Sequence, residues 1–189
     1  MASAWATLVV GPLLWAFALF AGAWLSVFGE DFGVGSDALV LLAAALLGAL
    51  LLGPSENLLL MSGRSRQAFW NNVVALEANI ALNLVLIPRW GATGAAVAWA
   101  VSLLFVRSTA AVQVYADRRV VAWSRPLVEA WVLVAVSSIG AALVARTLVG
   151  GGAAGLAVML VLTGAGGRAG AWSRRRVLGL DELSASLRA

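Results

Sequence analysis

Apolar residues run along this chain in long blocks, separated by short polar, Gly-rich or Pro-containing punctuation. Six blocks approach or exceed the roughly 20 residues that a membrane-spanning helix needs. They cover about Ala4 to Phe28, Asp37 to Ser62 with Pro54 inside, and Ala68 to Ile87 stopping at Pro88. The others cover Ala92 to about Tyr115, a run from behind Pro126 to about Val149, and a shorter Gly-rich run from about Ala153 to Trp172. The pattern predicts an all-α, polytopic membrane helix bundle of about six spans over residues 1–173. Residues 174–189 form a basic, amphipathic tail.

The punctuation has helix-end chemistry. Residues 29–37 make an acidic, Gly-rich connection, with Ser36 as candidate N-cap of the second span. Gly63 suits the C-terminal end of that span, and Pro54 is placed to kink it. Pro88 closes the third span, and Gly91 allows a tight turn into the fourth. Ser124 and Pro126 read as the start of the fifth. Gly150, Gly151 and Gly152 predict a tight turn before the sixth.

Composition agrees with the pattern. Hydrophobic residues make up 62% of the 189, charged residues only 12%, and residues 1–29 carry no charge. Mean hydropathy is +0.94. A soluble helix needs a polar face, and long stretches here have none. The first span lacks the basic leading region of a signal peptide and is too long for one. Cys and His are both absent, which removes disulfides, thiolate chemistry and the commonest neutral-pH base and metal ligand. All 13 basic residues are Arg, so lysine-based phosphate loops and Schiff bases are excluded as well. No cofactor is implied.

A pI near 11.3 raises nucleic acid as a partner, but the arginines fall where topology needs them. Arg64, Arg66, Arg118, Arg119, Arg125, Arg168, Arg174, Arg175 and Arg176 belong to connections on one side, and Arg188 follows in the tail. The other side holds Arg89 and, near a helix end, Arg146. The positive-inside rule then places both termini in the cytoplasm of a bacterial plasma membrane. Trp5, Trp70, Trp123 and Trp172 fall near inner ends, and Trp24 and Trp90 near outer ends, as in an aromatic belt. The partner so implied is the bilayer, with no nucleic acid.

Few polar residues lie within the spans, and those few are the candidate site. Asn72, Asn79 and Asn83 share one face of the third span. Each amide needs a partner in lipid, so the stripe faces other helices, as interhelical glue or as the lining of a polar path. Glu77 lies on a different face near mid-membrane. An ionised carboxylate there costs several kcal/mol unless paired, protonated or wet. Arg107 is a candidate partner, and Glu56 competes for it. At about 1.5 Å per residue, Glu77 lies roughly 14 Å, Arg107 roughly 8 to 12 Å and Glu56 roughly 9 Å from the inner helix ends. A Glu56/Glu77/Arg107 cluster in the inner half of the bundle is expected, either as a structural ion pair or as a substrate or proton site. The small residues Gly91, Gly94, Ala95, Ala96 and Ala98, and Ser137, Ser138, Gly140 and Ala141, predict close helix packing. In the tail, Leu180, Leu183 and Leu187 form an apolar side suited to the membrane surface. Arg174, Arg175 and Arg176 precede it, near anionic headgroups.

One stretch carries a family resemblance. Asn57 to Arg66 reads NLLLMSGRSR, and Glu77 to Ala96 reads EANIALNLVLIPRWGATGAA. A Gly-Arg turn, two Asn four apart followed by Leu, an Ile-Pro pair, an aromatic-Gly pair and Gly-Ala-Ala follow in order. This resembles the polysaccharide-exporting flippases of the multidrug/oligosaccharidyl-lipid/polysaccharide exporter superfamily. Trp90 stands where Tyr is more usual, and Phe28-Gly29-Glu30-Asp31-Phe32 is similar to the family's outward loop. The likeness covers about residues 12–115 well. It implies a place in a two-lobed, MATE-like bundle of twelve to fourteen helices that moves undecaprenyl-linked glycans outward by alternating access. This chain matches only the later helices. The resemblance therefore implies a partial chain, with a separate N-terminal lobe as partner and a lipid-linked oligosaccharide as substrate. Arg107 matches no family site. A peptidoglycan-precursor or drug exporter and a non-transporting scaffold stay open. An intramembrane enzyme is disfavoured by the missing His, Cys and paired Asp.

Overall fold

The computed structural model describes residues 2–118 and 125–173. Among the described residues every regular element is helical. They are α1 (Ala2–Leu19), α2 (Ala21–Ser26), a 3-10 turn (Glu30–Gly35), α3 (Ser36–Leu51), α4 (Ser55–Met61), α5 (Ser65–Arg118), α6 (Arg125–Leu148) and α7 (Ala153–Ser173). Three stretches are long and apolar enough to cross a membrane: Asp31–Leu51, Ser65–Asp117 and Leu127–Leu148. Ala6–Leu19 and Ala154–Gly164 are shorter apolar helices. The tail expected at residues 174–189 and the cap expected at Ser124 lie outside the described residues.

Tertiary contacts divide the chain into two compact units, one joining residues 1–24 to 124–189 and the other formed by residues 25–123. In the first unit α1, α6 and α7 pack on one another. Its core is made of five alanines, Ala16, Ala23, Ala141, Ala142 and Ala145, with the larger Phe20, Leu156 and Met159. Alanine at the contact lets backbones approach, which is how helices gain dispersion energy where lipid and side chain are equally apolar. Gly11 lets α1 come close to α6, since a Cβ there would stand 2.8 Å from Val134 Cγ1. The first span is not one straight helix. It breaks at Phe20, and Arg146, in the last turn of α6, donates to the Leu19 carbonyl at 2.6 Å. Its guanidinium also lies 5.3 Å from the centre of the Phe20 ring, a cation–π distance.

The second unit is built on a helical hairpin. Helix α5 runs through Pro88 and reverses at Gly91, where φ is 53° and ψ −131°. The reversal therefore comes after the proline at which the third span was expected to stop. Proline disfavours the helical conformation in the residue before it, but only glycine readily takes positive φ. The chain turns where that freedom is. Gly94 then passes close under the outgoing arm, and a Cβ on it would meet the Leu86 carbonyl oxygen at 2.4 Å. The small residues read as packing positions act so here: Gly94, Ala96 and Ala98 are buried.

Helices α3 and α4 pack on this hairpin. They divide the second span at Gly53 (φ 64°) and Pro54, so the expected kink is a break between two helices. Gly63 ends α4 as its sequence predicts. With φ at 79° it lets its own N–H bond to the Leu60 carbonyl and the Arg64 N–H to that of Leu59, a Schellman closure. Ser36 is not the cap expected of it. The 3-10 turn runs straight into α3, so Gly35 takes the cap position and Ser36 is already the first helical residue.

Candidate functional site

A cluster of charged and amide side chains lies in the second unit, where α4 packs against α5. Glu56 enters in the first turn of α4, and its Oε2 lies 3.6 Å from Nη1 of Arg107 on the return arm of α5. Asn72, on the outgoing arm, donates through Nδ2 to Glu56 Oε1 at 3.1 Å and to the Ala68 carbonyl at 2.9 Å. The carboxylate is thus held by a cation from one arm and an amide from the other. About a quarter of the Glu56 side chain and somewhat more of Arg107 remain accessible (25% and 30%). The cluster is therefore open on one side rather than sealed in a core.

The packing beneath it explains the placement. Leu59, Ala68, Ala110 and Val114 are buried together, with Leu58 against them. Leu59 of α4 seats between alanines on the two arms, and Glu56, one helical turn earlier, is carried onto the arm surface beside Arg107.

Glu77 does not join this cluster, against the expectation. Among the described residues it has no ion pair, and it is exposed. The reason is angular. Ala68 and Ala75 define the packed face of the outgoing arm, and two residues past Ala75 is more than half a turn around the helix. Glu77 consequently projects away from α4 and from the return arm. Its neighbours on that face, Trp70, Val74, Ile80 and Leu84, are all exposed apolar side chains. The asparagine stripe also divides. Asn72 serves the ion pair, whereas Asn83 donates to Asn79 Oδ1 at 2.9 Å along the same helix.

Two polar contacts across the hairpin were not anticipated. Asn71 and Gln113 exchange amide hydrogen bonds, Nδ2 to Oε1 at 2.8 Å and Nε2 to Oδ1 at 3.1 Å. Nearer the basic end, Arg64 pairs with Asp117. Both pairs stand almost equally far in sequence from Gly91. That symmetry about the turn is the signal that would have found them. The amide pair makes a specific prediction. Asn71→Leu orphans the Gln113 amide and is expected to lower stability in micelles by about 1 kcal/mol, with Gln113→Leu added to it restoring most of the loss. Unfolding midpoints of the single and double variants measure this; equal losses that add would dismiss the pairing.

The comparisons with known proteins return nothing: no protein-family model, no curated protein and no solved structure matches the chain.

Proposed function

We propose that this chain is the later-helix portion of a lipid-linked oligosaccharide flippase, crossing the bacterial plasma membrane about six times with both termini in the cytoplasm. In this reading α5 crosses twice, once on each side of Gly91. Its open Glu56–Arg107–Asn72 cluster lines a polar path in which the substrate's anionic head meets Arg107 while the lipid tail stays in the bilayer. The observation that carries the reading is the openness of that cluster. A purely structural pair in a membrane gains by being sealed, because every exposed polar atom there costs desolvation. Arg107 and Glu56 instead keep accessible surface.

The face around Glu77 supports a second lobe. An exposed carboxylate among Val74, Ile80 and Leu84 is unfavourable against hydrocarbon, and a polar or cationic group from another helix relieves it. The motif from Asn57 to Ala96 supplies the identity of that lobe by resemblance. The test is a flipping assay in proteoliposomes with a fluorescent undecaprenyl-linked glycan. The chain alone is expected to flip at background. Adding the polypeptide that supplies the other lobe, sought among neighbouring genes, is expected to raise the rate more than about tenfold, and Arg107→Gln to remove that gain. An assembly that flips at full rate with Arg107→Gln would overturn the proposal.

A further inference from the structure

At the basic end of the α5 hairpin, on the side opposite the Gly91 turn, lies a cavity of about 400 Å3 lined by Arg66, Gln67, Trp70, Asn71 and Gln113. Its lining consists of hydrogen-bond donors with most acceptors already engaged. The Asn71 and Gln113 carbonyl oxygens each accept one of their reciprocal bonds, and each amide keeps one further N–H. Arg64 reaches the Gln67 Oε1 at 3.5 Å, and among the described residues the Gln67 NH2 has no partner. The neighbouring Arg64 charge is spent on Asp117. Arg66 is exposed, and among the described residues it has no carboxylate partner. Among the described residues no acidic side chain lines the cavity.

A pocket with one uncompensated guanidinium, several amide donors and no carboxylate selects an anion with several oxygens. The planar fork of arginine matches a phosphate better than a single-point anion. The surroundings say where that phosphate comes from. Trp70 is exposed and packs edge-on against the equally exposed Phe69, with ring centres 5.6 Å apart. Paired aromatics beside arginines at the end of an apolar helix are the chemistry of the membrane–water interface. We infer that this cavity binds the phosphate of an anionic lipid headgroup, with Arg66 as its charged ligand, Gln67 and the Asn71–Gln113 pair as donors, and Trp70 and Phe69 against the acyl–glycerol boundary. The site is separate from the Glu56–Arg107 cluster and does not depend on transport. It needs only that the hairpin sits in a bilayer.

Native mass spectrometry of the intact chain released from detergent reads the binding directly. Phosphatidic acid is the probe, and phosphatidylcholine, whose phosphate is masked by a cation, is its comparison. The expected result is a retained phosphatidic acid whose apparent affinity falls about tenfold in Arg66→Ala, the order of one charged hydrogen-bonded contact. Arg89→Ala removes the same charge at the far end of the hairpin and is expected to leave binding unchanged. Arg66 is on the surface, so its variant is expected to fold, which a helical melting curve verifies. Equal retention of the two lipids, or equal loss in the Arg66 and Arg89 variants, would overturn the site. Displacement by millimolar inorganic phosphate would overturn its assignment to a lipid.

Discussion

Gly94→Ala is expected to open the α5 hairpin. The added Cβ would lie 2.4 Å from the Leu86 carbonyl oxygen and 3.1 Å from the Ile87 nitrogen. Both are backbone atoms of the opposing arm, so no side chain can swing aside. Ordinary overpacking costs about 1–3 kcal/mol, and a clash against fixed backbone is expected to exceed that. Gly91→Ala acts at the same turn by a different route. It meets no neighbouring atom, but its φ of 53° with ψ of −131° lies where a side chain is strained by about 1–3 kcal/mol. The ranking is therefore Gly94→Ala worse than Gly91→Ala, with Gly140→Ala nearly silent because nothing stands within 4 Å of its Cβ position. Thermal unfolding in micelles gives the ranking. Hairpin closure can be read separately by cross-linking Asn71→Cys with Gln113→Cys, since the chain has no cysteine of its own. A Gly94→Ala protein that melts with the parent and still cross-links would refute the close approach.

The second large effect concerns Arg107. Arg107→Met leaves Glu56 with only the Asn72 amide as partner. Removing one partner of a fully buried pair costs about 3–5 kcal/mol, chiefly because a charge is stranded. Here both side chains keep some accessible surface, so a smaller loss of about 1–3 kcal/mol is expected. Glu56→Gln added to Arg107→Met removes the stranded charge while keeping a partner for Asn72, and it is expected to recover at least half of the loss. The coupling energy of this cycle isolates the pair. Glu77→Gln, on the opposite face, is expected to show no coupling to Arg107. Coupling between Glu77 and Arg107 as large as that between Glu56 and Arg107 would contradict the geometry.

Much of the local architecture was legible in the residues because its causes are local. The helix between Ala153 and Ser173, the Gly150 turn and the Schellman end at Gly63 follow from apolar length and from glycine's access to positive φ. The kink at Pro54 was legible as a disturbance, but not as a full break. A proline removes one hydrogen bond, whereas Gly53 beside it, at φ 64°, turns the chain out of the helix. The prediction at Ser36 failed for a similar reason. A serine caps well only if the residues before it are not already turning helically, and the 3-10 turn of Glu30–Gly35 is.

The candidate site was legible as an inventory and not as a set of pairs. Hydropathy alone singles out Glu56, Glu77, Arg107 and the asparagines, because so few polar residues interrupt the apolar blocks. Depth counting made both glutamates possible partners for Arg107, since it measures position along an axis and ignores rotation about it. What rotation decides depends on which face packs, and that is fixed by Ala68 and Ala75 meeting the rest of the unit. Burial of those two alanines turns Glu77 outward and brings Asn72 to Glu56. The sequence by itself therefore determined that the chain is helical and apolar enough for a membrane, some of its helix ends, as at Gly63 and Gly150, and which charges need an explanation, all matters of composition and local backbone energy. Only the tertiary structure decided that Arg107 belongs to Glu56, that Asn71 meets Gln113 across the Gly91 turn and that Arg66 has no carboxylate partner among the described residues. Those outcomes depend on the facing of helices, which is settled by contacts between residues far apart in the chain.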